Sequence, residues 1–394
     1  MNILILQSKA FPHRANSFCY FYTQLTEWLT AHGAASRLFF CYLRVDDSGF
    51  ENGLHLPDDY EGFYTPRNIE AACTYIAEKR IDVILDYSHI ITGDTRRFFL
   101  EIRRRNPQVK LFTMIHNCPK HTTQLKAYVL PKLKLKDAHG PKGLFQWMFP
   151  RLYLFLLKRV ESYQNISAYN TMDEIVLLSP SYIPEFRRLI GKKDASRLSA
   201  IPNAIKPVES NIPIEQKKKE IIFVGRFDPE KGLPKLLKIW EMVQDELPEW
   251  KLIMVGDGGK YKECAQMIAD KKLKRVQLTG HQMSIPYIDR ASILCLTSVI
   301  EGLPTVFVEA MSLGVVPIGF DSFRAIYDMI DNGKNGIVIR NNDYKAYAKA
   351  LIRLATDDTY RQQIAAAAKQ QAGRYDIEHI GPLWLEAFRK HGIV

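Results

Sequence analysis

The sequence predicts an α/β protein of two domains, each built on a parallel sheet with helices on both faces. Short apolar runs alternate with amphipathic stretches in both halves of the chain, and this alternation is typical of parallel sheets. A polar linker with three consecutive lysines, residues 209–220, separates the two series. The 394 residues, of which 46% are apolar, are enough for two or three domains with a buried core.

The first half of the chain contains one series of strands and helices. His116 directly follows the strand at 109–115, and ligands bind beyond the carboxyl ends of strands in such sheets. Histidine titrates near neutrality, so His116 is a candidate to meet a ligand; the alternative is a histidine held by backbone hydrogen bonds in a turn. In the loop 8–17, Lys9 and Arg14 are weaker candidates. The predicted strands are 3–6, 36–43, 81–85, 109–115 and 174–178, and the predicted helices are 18–32, 68–79 and 95–105.

The second half repeats the alternation. Its first strand precedes a loop with Arg226 and Lys231, two cations whose side chains suit a diphosphate. The alternative is that Glu230 and Lys231 are only the charged start of a helix. A glycine-rich turn at 256–259 is a weak signal, since such turns are as often structural. The predicted strands are 221–224, 252–255, 277–278 and 293–296. One predicted helix follows the loop 225–232 and ends near residue 246, and three more cover 344–354, 359–372 and 380–389.

The stretch 293–319 carries the most informative local pattern. It begins as a buried apolar strand and breaks at residues 298–303. Pro304 then suits a first helical position, because its missing N–H is not needed there. Gly314 ends the helix before a second apolar strand. The pattern therefore predicts a strand, a turn, a helix and a strand.

Two carboxylates flank the start of this helix. The N–H groups of Thr305, Val306 and Phe307 at the helix N-terminus suit a phosphate. Glu301 in the loop and Glu309 in the helix repel a phosphate but can accept hydrogen bonds from hydroxyls. A diphosphate between two polyols fits this arrangement, and a nucleotide sugar is such a molecule. The alternative is that Glu309 points into water.

Charge and cysteine usage limit the class of protein. The formal charge of +11 indicates an anionic neighbour, either a membrane surface, nucleic acid or a phosphorylated substrate. The six cysteines are scattered without paired spacing, which favours reduced thiols over a disulfide framework or a metal site. The N-terminus has the pattern of a strand, and no apolar run is long enough to predict a membrane-spanning helix.

Much of the positive charge lies in residues 120–159, with nine basic residues and one acidic residue. Tryptophan, phenylalanine and leucine are interleaved with these bases, and this mixture favours an anionic bilayer surface. Part of the segment, residues 152–160, has an alternative interpretation as an ordinary core helix. Nucleic acid is disfavoured because the sequence has no recognition helix, zinc spacing or aromatic RNA-binding signature.

Two motifs together resemble a known family. The first is the loop 225–232, GRFDPEKG, and the second is residues 298–311, SVIEGLPTVFVEAM, in which Glu301 and Glu309 are separated by seven residues. With the segment 201–204, IPNA, they resemble the group-1 (family 4) retaining glycosyltransferases. The resemblance is strong from about residue 201 to residue 355 and looser before it.

The resemblance implies a GT-B architecture, in which two Rossmann-like domains face each other across a cleft. Residues 1–200 would be an acceptor-binding domain that includes a membrane-facing segment at 120–159. Residues 201–375 would be the nucleotide-sugar-binding domain, and the helix at 376–394 would pack back on the first domain. The first-domain glycine-rich loop common in the family is missing here, where Ser8 to Ser17 contains Pro12, His13 and Arg14.

The resemblance also implies roles for individual residues. Arg226 and Lys231 would neutralise the departing diphosphate, and Glu309 would hold the ribose hydroxyls. Glu301, together with the backbone of Gly302 and Leu303, would hold the transferred sugar. The N–H groups of Thr305 and Val306 would bind phosphate, and His116 would face the reacting sugar.

The resemblance implies transfer of a sugar from a nucleoside-diphosphate donor, with UDP favoured, in polysaccharide or glycoconjugate biosynthesis. The acceptor is expected to be a lipid-linked or membrane-associated glycan or an oligosaccharide, and the basic, aromatic segment 120–159 is the reason for expecting a lipid. Retention at the anomeric carbon is expected. No Asp-x-Asp triplet occurs, so neither a metal nor another cofactor is expected. The protein would be cytoplasmic and peripheral at the inner face of the cell membrane. The alternatives are a non-catalytic nucleotide-sugar-binding scaffold and a nucleotide-sugar epimerase.

Overall fold

A computed structural model shows two compact units. Unit 1 consists of Met1–Pro119, Phe155–Ala204 and Ile377–Val394, and unit 2 consists of Lys120–Leu154 and Ile205–Asp376. The structure describes residues 1–10, 17–45, 53–58, 62–87, 91–132, 139–192 and 194–394. Arg14 and the side chain of Lys9, both weak candidates from the sequence, lie outside this described part.

The strands form two sheets, and every strand pair in the described part of the chain is parallel. The strands are β1 (Asn2–Ala10), β2 (Arg37–Val45), β3 (Gly53–His55), β4 (Val83–Asp86), β5 (Lys110–Ile115), β6 (Glu174–Leu177), β7 (Leu198–Ala200), β8 (Glu220–Val224), β9 (Lys251–Val255), β10 (Val276–Leu278), β11 (Ile293–Leu296), β12 (Val316–Phe320) and β13 (Ile337–Ile339).

Helices connect the strands, as parallel pairing requires. The helices are α1 (Ser17–Ala31), α2 (Pro66–Glu78), α3 (Gly93–Arg105), α4 (His121–Val129), α5 (Gly140–Met148), α6 (Pro150–Thr171), α7 (Tyr182–Ile190), α8 (Leu233–Val243), α9 (Tyr261–Asp270), α10 (Ile285–Arg290), α11 (Thr305–Ser312), α12 (Ile326–Met329), α13 (Tyr344–Thr356), α14 (Asp358–Ala372) and α15 (Ile377–Lys390).

Unit 1 contains a seven-stranded sheet in the order β3-β2-β1-β4-β5-β6-β7. The order reverses between β1 and β4, so the carboxyl ends of these strands form the crevice where ligands bind in open α/β sheets. Strands β4 and β6 are buried along their whole length, as expected for a sheet covered on both faces. His116 follows the carboxyl end of β5.

Unit 2 contains a six-stranded sheet in the order β10-β9-β8-β11-β12-β13. Its core includes Phe223, Trp240 and Tyr347, which are fully buried. Here the order reverses at β8, which pairs with β9 on one side and with β11 on the other. The loops that follow β8 and β11 therefore leave the sheet side by side.

The predicted α/β class with two parallel sheets is confirmed. The predicted strands at 109–115, 221–224 and 293–296 correspond to β5, β8 and β11 within one residue at each end. The short strands β3, β7 and β13 and the helices α4, α5, α9, α10 and α12 were not predicted. Residues 120–154 group with unit 2, whereas the sequence prediction placed the whole segment 120–159 in the first domain.

The C-terminal helix α15 belongs to unit 1 and is anchored at both ends. Near its start, Glu378 accepts a hydrogen bond from the Trp28 indole N–H at 3.0 Å. Near its end, the Lys390 ammonium lies 2.7 Å from the buried Glu174 carboxylate, and the His391 Nε2 lies 2.8 Å from it. Gly381 packs flat on Trp28, since a Cβ at this position would lie 2.3 Å from the ring.

Glu174 makes the attachment of α15 sensitive to acid. Burial would raise the pKa of Glu174, but hydrogen bonds from His391, Lys390 and Ser199 outweigh it and hold the pKa below the usual value. A carboxyl with a lowered pKa stabilises the fold above its ordinary pKa, and this contribution is lost as the pH falls through the lowered value.

We expect Glu174→Gln to lower the free energy of unfolding at pH 7 by roughly 3–5 kcal/mol, because Lys390 and His391 lose a buried partner. Urea unfolding at several pH values measures this loss, which should shrink as the pH falls below about 4.5. Glu27→Gln on the exposed face of α1 is the control and should change little. Equal stability of Glu174→Gln and the unmodified protein at pH 7 would contradict this anchoring role.

Candidate functional site

The candidate site lies in unit 2, at the carboxyl ends of β8 and β11. Gly232 ends the loop after β8 with a positive φ of 61°, a conformation that favours glycine. A Cβ on Gly232 would lie 2.3 Å from the carbonyl oxygen of Thr297, which directly follows β11. The Thr297 hydroxyl in turn donates to the Gly232 carbonyl at 3.2 Å. The two loops are therefore held in direct backbone contact.

Lys231 and Glu301 form an ion pair between these loops. The Lys231 Nζ lies 2.8 Å and 3.1 Å from the two Glu301 carboxylate oxygens. Both side chains are largely buried, with 18% and 10% of their surface exposed. The Ser298 hydroxyl donates a further hydrogen bond of 2.6 Å to Glu301. The orientation of the Glu301 carboxylate is therefore fixed by a cation and a hydroxyl.

Arg226 lies on the solvent side of the same loop, with 74% of its side chain exposed. Its guanidinium contacts Asp228 at 3.0 Å and Glu230 at 2.9 Å. Glu230 also lies 3.6 Å from the His121 Nε2. The pKa of Glu230 is lowered, chiefly by the neighbouring His121 and then by the charges of Lys231 and Arg226, against the opposing effect of burial. Glu230 is therefore a carboxylate surrounded by three basic groups.

The helix α11 begins one residue later than the sequence predicts, with Pro304 as its N-cap residue. The N–H of Phe307 donates to the Pro304 carbonyl at 3.0 Å, so the prediction of Phe307 as a phosphate donor is wrong. In the described part of the chain, the N–H groups of Thr305 and Val306 have no backbone acceptor. Gly302 and Leu303, just before the helix, are buried.

Glu309 lies in the middle of α11 and is half-buried. Burial raises the pKa of the Glu309 carboxyl above its usual value. This position differs from the alternative in which Glu309 is a fully solvated surface residue. A partly desolvated carboxylate gains stability from hydroxyl or N–H donors, because hydrogen bonds replace its lost hydration.

His116 belongs to unit 1, where it follows β5 and is half-buried. Its imidazole lies 4.2 Å from the ring of Tyr87, measured between centroids, at an interplanar angle of 58°. Tyr87 follows β4, and its N–H donates to the carbonyl of Leu6 in β1 at 2.9 Å. His116 therefore lies at the strand ends next to the crevice of unit 1.

Sequence reasoning missed the contacts of α4 with this site. His121 approaches Glu230, and Gln124 donates to the carbonyls of Val299 and Ser322. His121, Gln124 and Tyr128 follow a helical spacing of three and four residues, which places them on one face. This spacing was the available signal, but the surrounding basic and apolar residues favoured a membrane interpretation for the whole segment.

Comparison with known proteins identifies relatives of this unit. Residues 206–371 match the family model described as Glycosyl transferases group 1. One curated relative is the Campylobacter jejuni GalNAc-alpha-(1->4)-GalNAc-alpha-(1->3)-diNAcBac-PP-undecaprenol alpha-1,4-N-acetyl-D-galactosaminyltransferase, 29% identical over 173 residues. This alignment covers 43% of the chain and about half, 48%, of the relative.

Solved structures resemble the chain over almost its full length. The lipopolysaccharide outer core galactosyltransferase WaaB has a TM-score of 0.71 at 15% identity, with 99% of each chain covered. Anabaena HepE in complex with UDP-glucose has a TM-score of 0.70 at 18% identity, also with 99% of each chain covered. At these identities the likeness shows a common GT-B fold of two Rossmann-like domains.

A double-mutant cycle tests the ion pair of the site. Lys231→Met, Glu301→Gln and the double variant should give a coupling energy in urea unfolding of about 0.5–3 kcal/mol, because both groups are largely buried. Lys274→Met and Asp245→Asn are the matched control, since this pair is 2.9 Å apart but exposed and should couple weakly. Additive effects of Lys231→Met and Glu301→Gln would contradict the pairing.

Proposed function

We propose that this chain, which carries a group 1 glycosyltransferase domain within a GT-B fold, transfers a sugar with retention from a nucleoside-diphosphate-sugar, a UDP-sugar, to a lipid-linked or membrane-associated glycan. The process it serves is polysaccharide or glycoconjugate biosynthesis. The observation that supports this proposal most is the buried Lys231–Glu301 pair next to the N-terminus of α11. At one edge of the sheet, a cation and backbone amide donors lie next to a carboxylate that can accept hydrogen bonds from hydroxyls.

The diphosphate of the donor would be bound by this cation and by the helix. An ammonium group has three N–H bonds, and the two Glu301 oxygens use at most two of them, so Lys231 retains a donor for phosphate. The N–H groups of Thr305 and Val306, at the positive end of the α11 dipole, would donate further hydrogen bonds to the phosphate. Arg226 lies at the exposed rim and supplies a further positive charge. No step in this scheme requires a metal.

The reaction builds negative charge on the departing diphosphate and positive charge on the sugar. The bond between the anomeric carbon and the phosphate oxygen breaks. The acceptor oxygen then bonds to that carbon from the face of the sugar that the diphosphate leaves. The acceptor proton passes to the departing phosphate oxygen. Lys231 and the N-terminus of α11 stabilise the developing negative charge, because they are fixed before the reaction begins. His116 is proposed to meet the reacting sugar.

The two carboxylates would hold the hydroxyls on either side of the diphosphate. Glu301, with the backbone of Gly302 and Leu303, would bind the transferred sugar. Glu309 would bind the ribose, whose hydroxyls would offset the desolvation that raises its pKa. UDP is favoured because HepE is similar in fold and its structure contains UDP-glucose. A lipid-linked acceptor is favoured because the Campylobacter relative is named for an undecaprenol diphosphate substrate.

The acceptor side of the proposal draws on α5 and α6. Among the described residues, no helix has the length and apolar character needed to cross a bilayer. Five large apolar side chains, each 42–51% exposed, cover α5 and the first turn of α6: Leu144, Trp147, Met148, Phe149 and Leu152. The helix α6 continues this stripe with exposed Phe155, Leu156, Val160 and Tyr163.

The charges around this stripe favour an anionic bilayer as its partner. Lys142, Arg151, Lys158 and Arg159 are exposed, and residues 139–160 contain no aspartate or glutamate. Basic residues attract anionic headgroups, and exposed tryptophan and phenylalanine insert at the interface. The proposed location is therefore peripheral, at the inner face of the cell membrane.

The catalytic proposal is tested with UDP and UDP-sugars. UDP should raise the apparent melting temperature, since a ligand that binds only the native state stabilises it. Lys231→Ala should reduce UDP release from UDP-glucose, UDP-galactose or UDP-N-acetylglucosamine by roughly 100-fold or more. Lys274→Ala is the control and should retain the full rate. Unchanged turnover in Lys231→Ala and Glu301→Ala would mean that the reaction occurs elsewhere.

The same assay separates the alternative functions. A scaffold would bind UDP-sugars without releasing UDP, and an epimerase would interconvert UDP-glucose and UDP-galactose without an acceptor. Either outcome would overturn the proposal of glycosyl transfer.

Vesicle flotation tests the membrane surface. We expect binding to vesicles rich in phosphatidylglycerol and little binding to pure phosphatidylcholine. Arg151→Ser with Lys158→Ser should weaken binding about 30-fold, at about 1 kcal/mol for each basic residue. The charge-matched control is Lys262→Ser with Lys272→Ser on exposed positions of unit 2. If both double variants lose vesicle binding equally, or if the unmodified protein does not bind vesicles, the membrane proposal is wrong.

A further inference from the structure

The helix α4 lies against the loop that carries Glu301. Its Gln124 side chain donates from Nε2 to the carbonyl of Val299 at 3.1 Å and to the carbonyl of Ser322 at 2.6 Å. A primary amide nitrogen has two hydrogens, so these two carbonyls account for both of its donor sites. Val299 lies two residues before Glu301, and Ser322 follows β12.

The two carbonyls belong to one network around the Glu301 loop. The Ser322 hydroxyl donates to the carbonyl of Ser298 at 2.6 Å, and the Ser298 hydroxyl donates to Glu301. The N–H of Val299 donates to the carbonyl of Glu230 at 2.7 Å. Gln124 is the member of this network that comes from outside the sheet and its own loops.

Two further contacts fix α4 at its ends. The His121 Nε2 lies 3.6 Å from Glu230 at the first turn. The ammonium of Lys235 lies 5.3 Å from the centroid of the Tyr128 ring near the last turn. No residue of α4 is fully buried, so the helix lies at the surface of unit 2. Its polar and aromatic side chains contribute to its attachment there.

We infer that Gln124 is a positioning residue, which holds the backbone before Glu301 so that this carboxylate can bind the transferred sugar. This inference rests on the proposed function. The carbonyl of Val299 is fixed by Gln124 on one side, and the carboxylate of Glu301 is fixed by Lys231 on the other. Without the amide, the Val299 carbonyl loses this hydrogen bond and the loop before Glu301 can shift, and a displacement of about 1 Å costs about 100-fold in rate.

The inference separates two parts of the donor. The sugar contacts Glu301, whereas the diphosphate contacts Lys231 and the N-terminus of α11. Loss of Gln124 should therefore weaken binding of the sugar and slow the reaction but leave binding of UDP unchanged. A merely structural role would impair both, because the β8 and β11 loops would be disturbed together.

The experiment compares Gln124→Ala and Gln124→Glu with the unmodified chain. Gln124→Glu keeps the shape of the side chain but replaces the donor by acceptors, so it should act at least as strongly as Gln124→Ala. We expect kcat/KM for UDP release from the UDP-hexose that is turned over fastest to fall roughly 10- to 100-fold. The Kd of UDP, measured by calorimetry, should change by less than about twofold. Gln266→Ala is the matched control, since Gln266 donates to Asp270 on the exposed surface of α9.

Three outcomes would overturn this assignment. An unchanged kcat/KM in both variants shows that Gln124 does not position the site. Equal losses of UDP affinity and of kcat/KM, or unfolding of both variants, show a structural role only. If the unmodified protein neither binds UDP nor turns over any UDP-hexose, the proposed function fails, and the inference fails with it.

Discussion

The buried ion pair between Lys231 and Glu301 is the interaction on which the rest of the site depends. Each partner comes from a different loop, and neither loop could bury its charge alone without a large desolvation cost. The pair therefore joins the loop after β8 to the loop after β11. Because the same two groups are proposed to meet opposite ends of the sugar–phosphate bond, their pairing also fixes the spacing between the two subsites.

Sheet topology is the reason why the two loops meet. In unit 2 the strand order reverses at β8, so the crossover connections leave on opposite sides and open a crevice between β8 and β11. Gly232 allows the backbones to touch, since any side chain would collide with Thr297. The ligand-facing residues are thus placed by two backbone requirements, the order of the strands and the absence of a Cβ.

The sequence predicted local parts of this site well and long-range parts poorly. The order of strand, loop and helix around Glu301 follows from apolar runs, Pro304 and Gly314, which act within a few residues. The ion pair of Lys231 with Glu301 joins positions 70 residues apart, and no periodicity reports such a distance. The position of α4 was missed for a related reason: His121, Gln124 and Tyr128 are polar or amphipathic, so the helix lacks the apolar stripe that signals packing.

The chain path of unit 1 has a consequence for biosynthesis. Glu174 is buried, yet Lys390 and His391, which neutralise it, are synthesised more than 200 residues later. At ribosomal speeds this interval lasts roughly 10 to 40 s. Unit 2 is completed during that interval, because its last residue precedes α15. The sheet of unit 1 therefore receives its last helix only after every strand of unit 2 has been synthesised.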